Sequence, residues 1–382
     1  MSLRVLQFFS TLDNGGAENR MMDVYRCLDP NIVTFDFAVL HEGKHYFDGE
    51  ISKTGSVKYV LPDPRAGLIK NYRALVRFFR EHHFEAVHTH VSWYGGVALM
   101  AAKRAGIKIR IAHARAAATP NRGTKEALFC NLGKFLIKLS ATQRMSISEE
   151  AALNIFGKSV VKKGNYLYVP NAIDQKKYVV LDPEARAELR KKLHIPDGKK
   201  AYVTVANFRK PKNHLFLLDI AKALKDQGDD FILYLIGDGA LRADIEKKIE
   251  TLGIQDRVVL MGVRGDVPQI LCAFDAMIFP SMYEGLGGVV LEAQLVGIPA
   301  IVSDAIPKVV DVGLDMVNFL PLQETPAVWA DTVVKKVSSV IWDRQAALRA
   351  FENAGYTIEA TTKTYLSEYG FSEDIICKAM KK

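Results

Sequence analysis

Residues 276–304 read AMIFPSMYEGLGGVVLEAQLVGIPAIVSD. Two short apolar runs, 276–279 and 300–302, enclose a glycine-rich turn and a stretch of helical period, so the segment predicts one β-α-β unit of a parallel sheet. Gly285, Gly287 and Gly288 leave backbone N–H groups unshielded where that helix begins, and unpaired amides together with the helix dipole favour an anion there. Glu284 and Glu292 flank the turn. Eight residues of pure helix would separate them by about 12 Å, somewhat altered by the turn, so the carboxylates are expected at opposite ends of one ligand. A diphosphate with hydroxyl-rich groups on both sides, a nucleotide-sugar, fits that description. A buried strand, a tight turn and an amphipathic helix with two satisfied glutamates fit the same residues, and the segment alone leaves both readings open.

The alternation continues outward. Apolar runs at residues 4–9, 34–40, 57–60, 86–89, 109–113, 144–147 and 166–169, then at 201–205, 231–236 and 258–261, are separated by stretches of helical period. This is the pattern of an α/β protein with parallel sheets, and two sheets are implied, joined near residues 170–178. Residues 182–192, DPEARAELRKK, read as a polar helix with acid early and base late. The last helix, near residues 357–367, follows the second unit's final strand and is expected to cross back to the first.

A chain of 382 residues is too long for one ordinary core and suits two domains. With 49% hydrophobic and 25% charged residues it has the composition of a soluble globular protein, and no apolar run reaches the ~18 residues of a membrane span. The opening MSLRVLQFF lacks the shape of a signal peptide, so a cytoplasmic location is expected. Cys27, Cys130, Cys272 and Cys377 are scattered without a C-x-x-C pair, which argues against a zinc site or a disulfide framework. The net charge of +8 fits an acidic partner, but the basic residues are dispersed and no nucleic-acid-binding spacing occurs. Residues 68–80, LIKNYRALVRFFR, form a basic amphipathic helix that suits either an anionic lipid surface or the flank of a sheet.

In open α/β sheets ligands sit beyond the carboxyl ends of the strands, so the loops there are the candidates. After the first strand, Gly15 and Gly16 in DNGGAEN permit close backbone approach. After residue 205, ANFRKPKNH places Arg209, Lys210 and Lys212 at a helix start, three cations suited to a leaving diphosphate. His113 closes a strand and offers an imidazole to a hydroxyl or phosphate oxygen. His88 and His90 lie on one face of another strand, yet no third metal ligand is evident beside them. LIGDGAL falls short of a dinucleotide fingerprint, because Arg242 stands where the third glycine belongs.

Taken in order, GGAE at 15–18, VPNAID at 169–174, RKPKNH at 209–214, IGDG at 236–239, GVRGDVPQIL at 262–271 and the E-x7-E of Glu284 and Glu292 resemble glycosyltransferase family 4 over nearly the whole chain. Within that family the chain is similar to the capsule and exopolysaccharide transferases, which carry similar NPN-like hinge, KNH and YEGL-x-x-V-x-x-EAQ blocks. The resemblance implies a GT-B architecture, two facing Rossmann-like domains with parallel sheets and an interdomain cleft. Residues 1–175 would form the acceptor domain, with 355–382 packing back on it, and 176–354 the nucleotide-sugar donor domain. It also implies a retaining enzyme that moves a hexose or N-acetylhexosamine from a UDP-linked donor to a saccharide, lipid-linked at the inner face of a membrane.

The resemblance further assigns roles. Glu284, Lys212 and His113 match the catalytic positions. Glu284 and the amides of Gly285, Leu286 and Gly287 would hold donor sugar and diphosphate, and Glu292 the ribose hydroxyls. Gly15 and Gly16 would approach the donor, and Gly262 and Val263 would frame the base. Asn207 replaces the arginine that usually precedes the lysine by five residues, with Arg209 or Lys210 left to supply that charge. No D-x-D triplet occurs, so no divalent metal and no cofactor are expected. A non-hydrolysing nucleotide-sugar epimerase and a non-catalytic nucleotide- or glycan-binding protein are the alternatives. The first would need acid and base carboxylates around the sugar, and the amino-terminal half offers only Glu18 near the proposed site.

Overall fold

Strands buried on both faces must be apolar almost throughout, and the sequence supplies such strands in two sets. A computed structural model describes residues 2–62, 67–116 and 123–380. The first set comprises β1 (Leu3–Phe8), β2 (Val33–Val39), β3 (Lys58–Val60), β4 (Ala86–Thr89), β5 (Ile109–Ala114), β6 (Gln143–Ser146) and β7 (Leu167–Tyr168). They form one parallel sheet in the order β3-β2-β1-β4-β5-β6-β7. The second set comprises β8 (Lys200–Val205), β9 (Phe231–Ile236), β10 (Val258–Gly262), β11 (Ala276–Phe279), β12 (Ala300–Ser303) and β13 (Val317–Leu320). These pair in parallel in the order β10-β9-β8-β11-β12-β13. β13 is an addition to the strands expected from sequence, and it extends the second sheet by one edge.

The chain divides into two compact units, residues 1–173 with 355–382, and residues 174–354. In the first, Val5, Phe35, Phe37 and Met145 from the sheet pack with Tyr365, Leu366, Tyr369 and Ile376 from the end of the chain. The chain's last segment therefore completes the core begun by its first strand. β2 is buried along its whole length, including Asp36, whose carboxylate accepts from Arg4 Nε at 2.7 Å and from the Val57 N–H at 2.8 Å. In the second unit, Leu217, Leu233, Ile278, Ile301, Trp329 and Val333 form the core.

The helix Leu68–Glu81 buries Leu75 and Phe79 and leaves Arg73, Arg77 and Arg80 exposed. The apolar stripe thus packs on the first unit, while Ile69 stays in solvent. Among the described residues no helix is long and apolar enough to cross a membrane.

Candidate active site

The order of the second sheet reverses between β8 and β11, and the loops leaving those two carboxyl ends are where a ligand is expected. The loop after β8 carries Asn207, Arg209 and Lys210, all exposed, and then tightens into the short turn Lys210–Lys212. Asn213 follows in a left-handed conformation (φ 56°) and starts the helix His214–Asp226. The loop after β11 leads through Tyr283, Glu284, Gly285 and buried Leu286 into the helix Gly288–Leu295. The two loops are tied together, because the Met282 N–H donates to the Pro211 carbonyl at 2.7 Å.

This tie brings Lys212 Nζ to 2.5 Å from Glu284 Oε1. The Lys212 ammonium also lies 5.4 Å from the centre of the Phe279 ring. Side-chain exposures of 26% for Lys212 and 12% for Glu284 leave the pair reachable yet shielded enough for its charges to be felt strongly. The helix beside it starts at Gly287 with φ 86° and no side-chain cap, so no side chain occupies its first amides. Glu292 lies half-buried on the same helix. A cation, a carboxylate and an uncapped helix start within one loop pair suit a diphosphate with a polar group attached.

Gly262 ends β10 with φ 66°, and its carbonyl accepts from the Gly237 N–H at 2.8 Å. Val263, next to it, is 65% exposed. Gly237 (φ 142°) has no room for a Cβ, which would run into the Ala206 carbonyl. The Phe208 N–H donates to the Asp238 carbonyl at 2.9 Å, so the loops after β8, β9 and β10 are laced into one floor. His214 and Ser281 belong to this neighbourhood, and neither was singled out by the sequence reading. Both His214 ring nitrogens and Ser281 Oγ are buried without a hydrogen-bond partner among the described residues. Burial, reinforced by Lys212, lowers the His214 pKa to about 4.

In the first unit Gly15 and Gly16 begin the helix Gly16–Arg26, where the Glu18 carboxylate folds back over Gly15 and fills the space a Cβ would take. Burial raises the Glu18 pKa. His113 lies inside β5 and is buried, 3% exposed. The register sets His88 of β4 opposite Ile111 of β5, so His113, two residues on, shares its face. His88 Nε2 and His113 Nδ1 are 3.0 Å apart. His90 completes a cluster in which one ring nitrogen of each histidine lies within 4.8 Å of the others. The third ligand that sequence spacing could not supply is therefore His113, brought in by strand pairing. A cation fits these residues poorly even so. Arg115 Nε donates directly to His90 Nδ1 at 2.8 Å, which occupies that lone pair and places a guanidinium beside the cluster. Burial, reinforced by Arg115, holds all three histidines well below their ordinary pKa, so the rings are neutral.

Comparison with known proteins follows the same division. Residues 185–354 match the family described as "Glycosyl transferases group 1". The chain is 30% identical over 376 residues to EpsF, a candidate glycosyltransferase of Bacillus subtilis, covering 97% of each. It is 27% identical over 246 residues to the UDP-Gal:alpha-D-GlcNAc-diphosphoundecaprenol alpha-1,3-galactosyltransferase of Escherichia coli, covering 62% of this chain and 63% of that one. Its fold is similar to Anabaena Alr3699/HepE, crystallised with UDP and glucose, with a TM-score of 0.78, 16% identity, and coverage of 96% of this chain and 99% of the other. That likeness establishes the GT-B fold.

Proposed function

This chain belongs to the group 1 glycosyl transferases, and from that premise we propose that it is a family 4, retaining hexosyltransferase of polysaccharide biosynthesis. Its donor is a UDP-linked hexose or N-acetylhexosamine, and its acceptor a saccharide carried on a lipid diphosphate. The observation that supports this most is the Lys212–Glu284 pair beside the uncapped turn at Gly287. Lys212 and the amides of Gly285, Leu286 and Gly287 stabilise the charge that grows on the leaving diphosphate, and Glu284 accepts hydrogen bonds from the sugar hydroxyls. Glu292 holds the ribose, and Gly262 and Val263 border the base. Arg209 and Lys210 add positive potential on the loop where Asn207 stands.

In the transfer the bond from the anomeric carbon to the diphosphate oxygen breaks, and a bond from that carbon to the acceptor oxygen forms on the same face. The acceptor's hydroxyl proton passes to the leaving phosphate. Cations and amides carry out the charge stabilisation without a divalent metal. The UDP donor and the lipid-linked acceptor are supported by the names of relatives and neighbours, since the E. coli relative acts on a diphosphoundecaprenol-linked sugar and the Anabaena structure holds UDP. The exposed arginines of the helix Leu68–Glu81 suit contact with the anionic inner face of a membrane.

The test is release of free nucleotide from a panel of nucleotide-sugars, with and without EDTA, and with vesicles carrying anionic lipid and a diphosphate-linked saccharide. Slow release is expected from one UDP-sugar, unchanged by EDTA and accelerated by the loaded vesicles. It should fall by about two orders of magnitude or more in Glu284→Ala and Lys212→Ala, the scale of removing one preorganised charge-stabilising group. Epimerised donor without nucleotide release would overturn the transferase reading. Loss of activity in EDTA would overturn metal independence.

A further inference from the structure

We infer that Arg115 fixes the tautomer of His113 through a one-way chain of hydrogen bonds, so that His113 Nε2–H is held as a permanent donor for an oxygen atom of the bound substrate. The inference rests on the transferase reading, in which His113 stands at a position that the family resemblance matches to a catalytic one. It adds five positioning residues, Arg115, His90, Gln7, Tyr369 and His88, none of which need touch the substrate.

Directionality begins at Arg115, because a guanidinium donates and never accepts. Arg115 Nε donates to His90 Nδ1 at 2.8 Å, so the proton of that neutral ring is on Nε2. His90 Nε2 then donates to Gln7 Oε1 at 3.0 Å, which fixes the amide with its nitrogen on the other side. Gln7 Nε2 donates to Tyr369 Oη at 2.9 Å. With its oxygen accepting there, Tyr369 turns its single hydroxyl proton to His88 Nδ1, 2.7 Å away. His88 must therefore carry its own proton on Nε2, which it donates to His113 Nδ1 at 3.0 Å. His113 is left with its proton on Nε2, and that nitrogen is buried with no partner among the described residues.

Reversing a link between Arg115 and Gln7 would require Arg115 to accept, and reversing one beyond Tyr369 would leave the Tyr369 hydroxyl proton without the acceptor that His88 Nδ1 provides. The root is itself immobilised: Arg115 Nη1 donates to Asn171 Oδ1 at 2.7 Å and Nη2 to Tyr365 Oη at 3.0 Å. All of these residues lie in the unit formed by residues 1–173 and 355–382. A buried N–H without an acceptor is rare in folded proteins, and a substrate hydroxyl, ether or phosphate oxygen would satisfy it.

Nitrogen-15 NMR on full-length protein labelled at histidine tests the chain directly. With no substrate present, His88, His90 and His113 should each be neutral and protonated at Nε2. Tyr369→Phe removes the donor to His88 Nδ1 and should let His88 and His113 populate the opposite tautomer while His90 keeps its own. Gln7→Glu replaces the amide donor by an acceptor, draws the Tyr369 proton away and should reverse His88 and His113 outright. In folded variants kcat/KM for nucleotide release should fall roughly ten- to a hundredfold, the scale of setting a buried lone pair against an acceptor.

His113 protonated at Nδ1 in the wild type, a charged ring, or spectra unmoved in both variants would overturn the inference. So would unchanged kcat/KM in a folded variant whose His113 has reversed. Stoichiometric zinc binding that shifts all three rings would replace it with a metal site. Failure of the transferase reading shows separately, as absence of nucleotide release from the wild type, on which the nitrogen spectra do not depend.

Discussion

His214 illustrates how a single buried ring ties stability to pH. Its ring packs edge-on to Phe208 at 4.8 Å, and neither nitrogen has a partner among the described residues. Its pKa of about 4 in the folded protein lies below the ordinary value of 6.5, so folding favours the neutral ring. Its stabilising contribution is complete above pH ~6.5 and is lost as pH falls from there toward 4, where the unfolded chain binds the extra proton. The shift corresponds to roughly 3 kcal/mol. Urea midpoints measured from pH 7.5 to 4.5 should therefore fall steeply in the wild type and less steeply in His214→Phe. At pH 7.5 that variant should be as stable as the wild type or more so, since it removes two unpaired buried nitrogens. An acid limb identical in both proteins would show that His214 does not titrate on unfolding. Residues of this kind differ in how far the sequence reveals them. Lys212 and Glu284 stand in loops directly after apolar runs, and each loop announces its own chemistry. Arg115 and Tyr369 carry no local signal, because their partners come from strands and helices as much as 362 residues away in sequence.

At the scale of elements, the strands that run apolar from end to end were legible because a parallel sheet buries both faces and leaves an unbroken hydrophobic word. β9, FILYLI, is buried at every residue and its bounds agree with the sequence reading. β13, VNFL, escaped notice because it is a short edge strand with only Val317 buried, and Asn318 interrupts the apolar pattern. The pairing of β4 with β5 was equally invisible, and with it the approach of His88 to His113. The loops make a sharper point, since glycine is required at 237, where a Cβ would run into the Ala206 carbonyl. Gly237→Ala should open the floor shared by the loops after β8, β9 and β10. A loss of about 2–4 kcal/mol in the second unit is expected, the scale of backbone strain combined with overpacking. Thermal denaturation with and without the proposed UDP-sugar donor should show both a lower Tm and a smaller ligand-induced rise. A Tm unchanged from wild type would mean the floor is softer than its hydrogen bonds imply.

At the scale of the molecule, six motifs in the right order mark the family even though each alone is ambiguous. The two-part construction gives a prediction of its own. Tyr365, Leu366, Tyr369 and Ile376 are nearly fully buried in the core of the first unit. At ~1.5–3 kcal/mol for each large apolar side chain, their removal forfeits on the order of 6–12 kcal/mol, comparable with a whole domain's net stability. A chain ended after Ala354 should therefore lose cooperative unfolding of the first unit while residues 174–354 keep theirs, as read by calorimetry and by hydrogen exchange along the sequence. Full exchange protection of β1 and β2 in the shortened protein would contradict this. The same arrangement imposes an order on birth. A ribosome releases the residues of the first unit's sheet early, yet the helix that closes their core is made only after residues 174–354. The middle unit has its whole sequence before that helix exists, and the opening sheet must wait with its apolar flank uncovered, the condition under which nascent chains depend on chaperones. Tyr369 reaches His88 only after the intervening 174–354 unit has been made, so no intermediate that ends within that unit carries a finished histidine chain.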